Sequence, residues 1–192
     1  MPDRNQAALD FLLTRRSRPA RTLTAPGPSR ADLAAILTAA ARSPDHGKLE
    51  PWRFVVIEGG AMARLAALTQ GRGEALGMAE EDIAKGREQF DRGVLIVAVI
   101  ESPVESVKIP ALEQTYSAGA VCLALLNAAL ASGWGANWLS GWISRDREFC
   151  ASALGLAAHE RIAGLIHIGT ESASAPERPR PDLDAKTTWI SA

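Results

Sequence analysis

The feature that most constrains the fold is the segment from Tyr116 to Leu126, which reads YSAGAVCLALL. Its residues are apolar or small on nearly every side of a helix, and a helix of that kind has to be buried all round. In a chain of 192 residues, such burial favours a subunit interface as well as a core. The segment therefore predicts a long helix, from about residue 110 to 132, in a homodimer.

Helices and strands alternate on either side of this helix. A first helix ends near Ser17, and Ser29 with an acid three residues later is the capping box of a second helix, which runs to Arg42. Apolar runs predict strands at 52–57, 94–100 and 161–168, and the second run is apolar on both faces, as in the centre of a covered sheet. Residues 60–90 predict a helix, a turn and a helix, 137–140 a short strand or loop, and 145–154 a helix. This order predicts an α/β or α+β fold whose sheet is covered on both faces.

Composition excludes several classes of protein. With 47% hydrophobic and 22% charged residues, we expect one domain over 1–192, with an extended arm from about residue 171. The net charge is -1 and most basic residues are scattered, so we expect no nucleic acid or membrane partner. The start of the chain lacks the pattern of a secretory signal, and the longest apolar run is too short for a membrane span, so we expect a cytoplasmic protein.

Metal chemistry and disulfides are also disfavoured. The two cysteines, Cys122 and Cys150, lack CxxC spacing, and the three histidines lack the spacing of metal ligands. His167 alternates within a predicted strand, which favours a packed or hydrogen-bonded histidine. No familiar nucleophile, P-loop or zinc motif is present, so no catalytic side chain is predicted.

Three local features remain, and each allows an ordinary structural interpretation. The ArgArgSer segment at 15–17 could bind a phosphate at a helix end, or its arginines could simply be solvated there. The loop RSPDHGKLEPW, 42–52, could present its histidine and lysine to a ligand, or it could be a rigid connector. The segment GWGANWLSGW, 133–142, offers glycines and three tryptophans as flat walls for a planar ligand, although tryptophans more often lie in a core.

Taken together and in this order, the three segments resemble the FMN-dependent nitroreductase family. The resemblance is closest to its short, YdjA-like bacterial branch, in which ArgArgSer, an AlaProAspHis loop and a GlyXaaTrpXaaSerGly segment recur, and it covers nearly the whole chain. It implies an α+β, nitroreductase-like fold with a central, mixed, mainly antiparallel sheet flanked by helices. It also implies an intertwined homodimer with two FMN sites at the subunit interface.

The resemblance also implies the cofactor-binding residues. Those expected to hold the phosphate and ribityl chain are Arg15, Arg16 and Ser17, with Arg178 or Arg180 as a late basic contact. The residues expected to reach the flavin of the other subunit are Arg42 and His46. Those expected to line the isoalloxazine are Trp138, Leu139 and Ser140.

The chain departs from the family pattern in two places. Lys48 and Glu50 replace an Asn and a Gln, and Lys48 could supply positive charge where reduced flavin becomes negative. Glu50 would oppose that charge unless it pairs with Lys48 or Arg53. Pro19 replaces a basic residue two positions after ArgArgSer, and Arg18 or Arg21 could compensate for its loss.

The implied activity is a two-step oxidoreduction. NADPH or NADH reduces FMN at N5, and an electron-poor nitroaromatic, quinone or activated alkene then takes the electrons. Three alternatives stay open from the residues alone. They are a flavoprotein with altered chemistry, a flavin-binding protein without turnover, and a dimeric interaction module.

Overall fold

Strand β3 (Leu95–Glu101) is buried along its whole length, as expected of a strand at the centre of a covered sheet. In the computed structural model, which describes residues 3–191, β3 lies between β2 (Trp52–Glu58) and β5 (Arg161–Glu171). Strand β5 also pairs with two short strands, β1 (Leu23–Thr24) and β4 (Gly135–Leu139). Every one of these pairings is antiparallel.

Helices cover both faces of this sheet, so the predicted α+β class is confirmed. The helices are α1 (Gln6–Thr14), α2 (Arg30–Ala40), α3 (Gly60–Ala75), α4 (Glu80–Asp91), α5 (Ala111–Ala131) and α6 (Arg147–Leu154). Helices α2 and α5 bury residues such as Ile36 and Leu125 against one face. Helices α3, α4 and α6 bury Leu65, Phe90 and Phe149 against the other.

Local sequence signals account for most of the boundaries. The Ser29 side chain accepts a hydrogen bond from the backbone N–H of Asp32 at 3.2 Å, which completes the capping box at the start of α2. Strand β5 continues to Glu171, beyond the expected end at Ile168, because β1 pairs with its last two residues. Strand β1 is only two residues long, and so short a strand leaves no periodic pattern in a sequence.

Helix α5 is the long helix expected at 110–132. It packs against α2, β3, β4 and β5, while Leu112, Tyr116 and Leu123 remain 58%, 65% and 46% exposed. One chain therefore does not bury this helix on every side. Its 21 residues are long and apolar enough to cross a membrane, contrary to the expectation from its apolar run, but its contacts are those of a core helix.

The loop between α2 and β2 is braced against the start of α5. The Ser117 hydroxyl donates to the carbonyl of Pro44 at 2.9 Å, and the backbone N–H of Glu50 donates to Asp45 at 2.6 Å. Gly47 has a φ of 71°, and a β-carbon there would collide with the Ile109 side chain. The left-handed backbone therefore favours glycine here, and a larger residue would also displace the end of the Ile109 side chain.

We expect Gly47→Ala to destabilise the protein by roughly 2 kcal/mol, because it adds a collision with Ile109 to the strain of the left-handed backbone. Gly155→Ala is the matched control, since Gly155 is also left-handed but has open space around it. The control should lose only about 1 kcal/mol. Urea unfolding of both variants measures the difference, and equal losses would show that Ile109 does not confine the loop.

An ion pair ties the start of β2 to the start of β5. Arg53 donates to the two carboxylate oxygens of Glu160 at 2.6 and 2.7 Å, and the Ala157 backbone N–H donates to the same carboxylate at 2.9 Å. The hydrogen bond from Arg53 is the main reason that the pKa of Glu160 falls from 4.5 to about 2, although burial acts in the opposite direction. The ionised carboxylate therefore stabilises the fold above pH 4.5, and this contribution disappears as the pH falls towards 2.

Glu160→Gln should lower the free energy of unfolding by roughly 2 kcal/mol at pH 7, because a hydrogen-bonded ion pair is lost. The difference from the wild type should shrink between pH 4.5 and 2, where the wild-type carboxylate becomes protonated. Denaturant unfolding across this range measures both effects. Glu58→Gln is the control, because Glu58 and its partner Arg30 are exposed, and a difference that did not vary with pH would contradict the assignment.

Candidate functional site

The ArgArgSer segment is held beside strand β4. Helix α1 ends at Thr14, and the backbone N–H of Arg15 closes it by donating to Phe11 at 2.8 Å. The backbone N–H of Arg18 then donates to the carbonyl of Ala136, in β4, at 2.8 Å. This bond fixes residues 15–17 at the edge of the sheet, where the GWGANWLSGW segment passes.

The C-terminal arm folds back to the same place. With the ArgArgSer segment, it encloses a cavity of about 650 Å³, which we call the arginine cleft. Its polar lining consists of Arg15, Arg16, Ser17, Arg21, Asn137, Arg178 and Arg180. Both candidate late basic residues therefore line the cleft together with the expected phosphate-binding residues.

Positive charge in the arginine cleft is only partly compensated. Glu177 lies between Arg16 and Arg180, at 3.1 and 2.7 Å. The Nε of Arg15 is buried and has no hydrogen-bond partner among residues 3–191, and its NH2 donates to the Ser17 hydroxyl at 3.2 Å. Burial, followed by the charges of Arg16, Arg180 and Arg18, lowers the pKa of Arg15. An anion bound here would relieve this repulsion and satisfy the buried donor.

A second cavity, of about 400 Å³, adjoins the arginine cleft and is called here the inner cavity. The two share Pro19, Arg21 and Asn137 as lining residues. The inner cavity is also lined by Leu139 and Ser140 at the end of β4, and by Gln89 of α4 and His167 of β5. Two of the expected isoalloxazine-lining residues are thus brought next to the expected phosphate-binding residues.

The third of these residues, Trp138, projects from the other face of the sheet. Side chains alternate along β4, so Asn137 and Leu139 share one face and Trp138 lies on the opposite one, paired with Ile166. Its indole covers Gly164, where a β-carbon would collide with it, and lies close to Cys122. The indole is therefore outside the inner cavity, and it remains 37% exposed on the side of α5.

The three tryptophans of the 133–142 segment do not form one flat wall. Trp134 packs against the core between α2, α5 and the sheet. Trp142 lies over α4, where its indole N–H donates to the carbonyl of Asp82 at 3.0 Å. The hypothesis of a three-tryptophan wall is wrong, because the alternation of β4 and the turn after it point the rings in different directions.

The predicted loop residues lie outside both cavities of their own chain. Arg42, His46 and Lys48 are exposed, and His46 Nδ1 lies 2.6 Å from a carboxylate oxygen of Glu113 at the start of α5. Lys48 has a φ of 55°, which is strained for a lysine. Glu50 does not pair with Arg53, because Arg53 is held by Glu160.

Two cavity-lining residues have no sequence signal for a ligand. His167 is 3% exposed, and its Nε2 has no hydrogen-bond partner among the residues that the structure describes. Burial lowers its pKa to about 4, so the imidazole is neutral near pH 7. The side-chain oxygen of Gln89 is also buried and has no hydrogen-bond partner among residues 3–191. Both polar atoms are expensive to bury unless a ligand or an ordered water molecule supplies a hydrogen bond.

Comparison with known proteins identifies relatives over nearly the whole chain. The sequence pattern of the Nitroreductase family matches residues 12–170. YdjA of Escherichia coli (strain K12), provisionally named an NAD(P)H nitroreductase, is 36% identical over 168 residues, or 88% of this chain and 90% of YdjA.

Solved structures share the fold. A nitroreductase-like family protein from Bacillus cereus has a TM-score of 0.80 at 23% identity and covers 100% of both chains. A nitroreductase with bound FMN from Bacteroides fragilis NCTC 9343 has a TM-score of 0.71 at 19% identity, covering 95% of this chain and 98% of that one. Because the family pattern covers most of the sequence and YdjA is 36% identical to it, this chain belongs to the nitroreductase family.

Proposed function

We propose that this protein is an FMN-dependent NAD(P)H oxidoreductase. The observation that carries the proposal is the arginine cleft. Arg15, whose Nε is buried without a partner among residues 3–191, lines this cleft, and the cleft adjoins the inner cavity with its neutral polar residues. FMN has an anionic phosphate at one end and a planar, hydrogen-bonding ring at the other. The arginine cleft suits the phosphate and the inner cavity suits the ring, so the residues present fit this cofactor. The name of YdjA and the bound FMN of the Bacteroides protein support the same assignment.

Different residues of the cleft and of the inner cavity bind the phosphate and the ring of FMN. The guanidinium groups of Arg15 and Arg16 bind the phosphate together with the Ser17 hydroxyl, and Arg178 or Arg180 closes the cleft from the C-terminal arm. The carboxylate of Glu177 pairs with Arg16 and Arg180 in the cleft, and it moves away when a phosphate enters. Leu139 and Ser140 line the wall of the ring end.

FMN held by these residues would supply hydride transfer from NADPH or NADH, and then electron transfer to an electron-poor acceptor such as a nitroaromatic, a quinone or an activated alkene. No protein side chain has to act as a general acid or base in this exchange. The chain instead supplies position and charge. Lys48 contributes positive charge near the end of the ring that becomes negative on reduction.

We also propose that the protein is a cytoplasmic homodimer in which each subunit completes the other's site. Helix α1 buries none of its side chains within one chain, and Leu12 and Leu13 are 57% and 64% exposed. Leu112, Tyr116 and Leu123 form an exposed apolar stripe on α5. Together with Leu12 and Leu13, this stripe is the surface that a second copy covers. The loop residues Arg42, His46 and Lys48 then reach the ring of the partner's flavin. Two buried, free cysteines suit a reducing compartment.

An anaerobic absorbance titration tests the cofactor and the activity. Purified protein should bind added FMN, and the bound flavin should be bleached by NADPH or NADH and reoxidised by a nitroaromatic or a quinone. Bound flavin that neither nicotinamide bleaches would contradict the reductase activity. Protein that binds no FMN would contradict the flavoprotein assignment itself.

The Arg15→Ala variant tests the cleft. It should weaken FMN binding tenfold to a hundredfold, roughly, because a charge-assisted hydrogen bond to phosphate is lost, and the dimer should persist. Fluorescence quenching of FMN measures the dissociation constant. Arg30→Ala is the matched control, because Arg30 is a 90% exposed arginine that pairs with Glu58. Equal affinity in the two variants would remove Arg15 from the phosphate site.

The Leu123→Glu variant tests the dimer. A carboxylate in the middle of the exposed stripe of α5 should convert the protein to monomers and weaken FMN binding, because burying a charge without a partner is unfavourable. Analytical ultracentrifugation measures the mass. Ala63→Glu is the control, because Ala63 is exposed on α3, which covers the other face of the sheet. A wild-type monomer, or a dimeric Leu123→Glu variant, would contradict the proposed interface.

A further inference from the structure

Two residues that line the inner cavity carry polar atoms that the fold itself does not use. The buried Nε2 of His167 and the buried side-chain oxygen of Gln89 come from different elements, β5 and α4, and both residues line this one cavity. Asn137 lies opposite His167 in the register of β4 and β5 and lines the same space. His167 and Gln89 therefore border one cavity from two sides, and each carries a polar atom without a partner among residues 3–191.

Charged residues of the cavity do not account for these polar atoms. Lys85 and Arg92 are 63% and 59% exposed in their side chains, and they pair with Glu81 and Glu88 of their own helix. Glu88 is also exposed and engaged with Arg92. These groups are exposed, as is Arg21, which also lines the cavity, so the buried lining is left with neutral hydrogen-bonding groups.

The chemistry of the two side chains defines what they can bind. A neutral imidazole offers one N–H donor and one acceptor, and a glutamine amide offers both kinds of group. A planar ring whose edge alternates carbonyl oxygens with an N–H matches both kinds of group, whereas an anion offers no donor to the glutamine oxygen. The pyrimidine edge of a flavin has this alternation. The cavity also adjoins the arginine cleft through Pro19, Arg21 and Asn137, so one molecule can occupy both.

We infer that His167 and Gln89 are positioning residues that hydrogen-bond the polar edge of the flavin ring in the inner cavity. The inference rests on the proposed function, since it concerns the ring end of the cofactor whose phosphate the arginine cleft binds. It also assigns His167 a role other than core packing. These two contacts, from β5 and α4, add to the positive charge that the proposed function assigns to Lys48.

Comparing FMN with riboflavin, which lacks the phosphate, separates the two ends of the site. His167→Leu and Gln89→Leu should each weaken the binding of both ligands about tenfold, because each loses a hydrogen bond to the ring. Arg15→Ala should weaken FMN alone. Gln70→Leu is the control, because Gln70 is a glutamine of α3 that bonds Glu74 and lies outside the inner cavity. Fluorescence quenching measures all the dissociation constants.

Thermal unfolding of the ligand-free variants distinguishes ligand binding from a structural role. Replacing a buried, unpartnered polar group by leucine should leave the melting temperature unchanged or raise it, while affinity falls. His167→Asn, which keeps a donor and an acceptor, should recover part of the affinity. A lower melting temperature with unchanged riboflavin and FMN affinity in both leucine variants would overturn the inference alone. Wild-type protein that binds neither ligand would overturn the proposed function and this inference together.

Discussion

Strand β5 is the element on which the rest of the structure depends, because it pairs with β1, β3 and β4. Its alternation distributes side chains to two different cores. Ile166 faces the helices α2 and α5, whereas Leu165 faces α3, α4 and α6. In the pairing of β4 with β5, Leu139 lies opposite Leu165 and Trp138 lies opposite Ile166. Leu139 therefore lines the inner cavity, whereas Trp138 lies on the other face of the sheet. The site is therefore a consequence of sheet register.

The site also concentrates groups that an isolated chain stabilises poorly. Arginines gather in the cleft, where Glu177 pairs with Arg16 and Glu171 with Arg18, and burial together with neighbouring charges lowers the pKa of Arg15. His167 and Gln89 each bury a polar atom that lacks a partner within residues 3–191. The loop adds left-handed backbone at Lys48 and Glu50, which are not glycines. Unfavourable local features of this kind are typical of binding sites, where a ligand provides the missing interactions.

The ordered motifs were sufficient to predict the α+β class, the family and most of the elements. The capping box at Ser29 and the apolar strand 94–100 are local signals, and both were found where they were expected. The membership of Arg15, Arg16 and Ser17 in one cleft with Arg178 and Arg180 was anticipated only through the family resemblance. Gln89 was not anticipated at all, because a glutamine on an amphipathic, highly charged helix has the same pattern whether it faces solvent or a cavity.

Local structure can be predicted from the sequence, because helix caps, turns and apolar periodicity depend on residues within a few positions of one another. Those signals determined the helices, the strands and the ArgArgSer segment of this protein. Tertiary structure decided which side chains meet, since that depends on register between strands more than 25 positions apart, such as Asn137 and His167. It also decided that the apolar helix α5 stays partly exposed within one chain. Burial is a property of the assembled surface, and no single segment contains the residues that cover it.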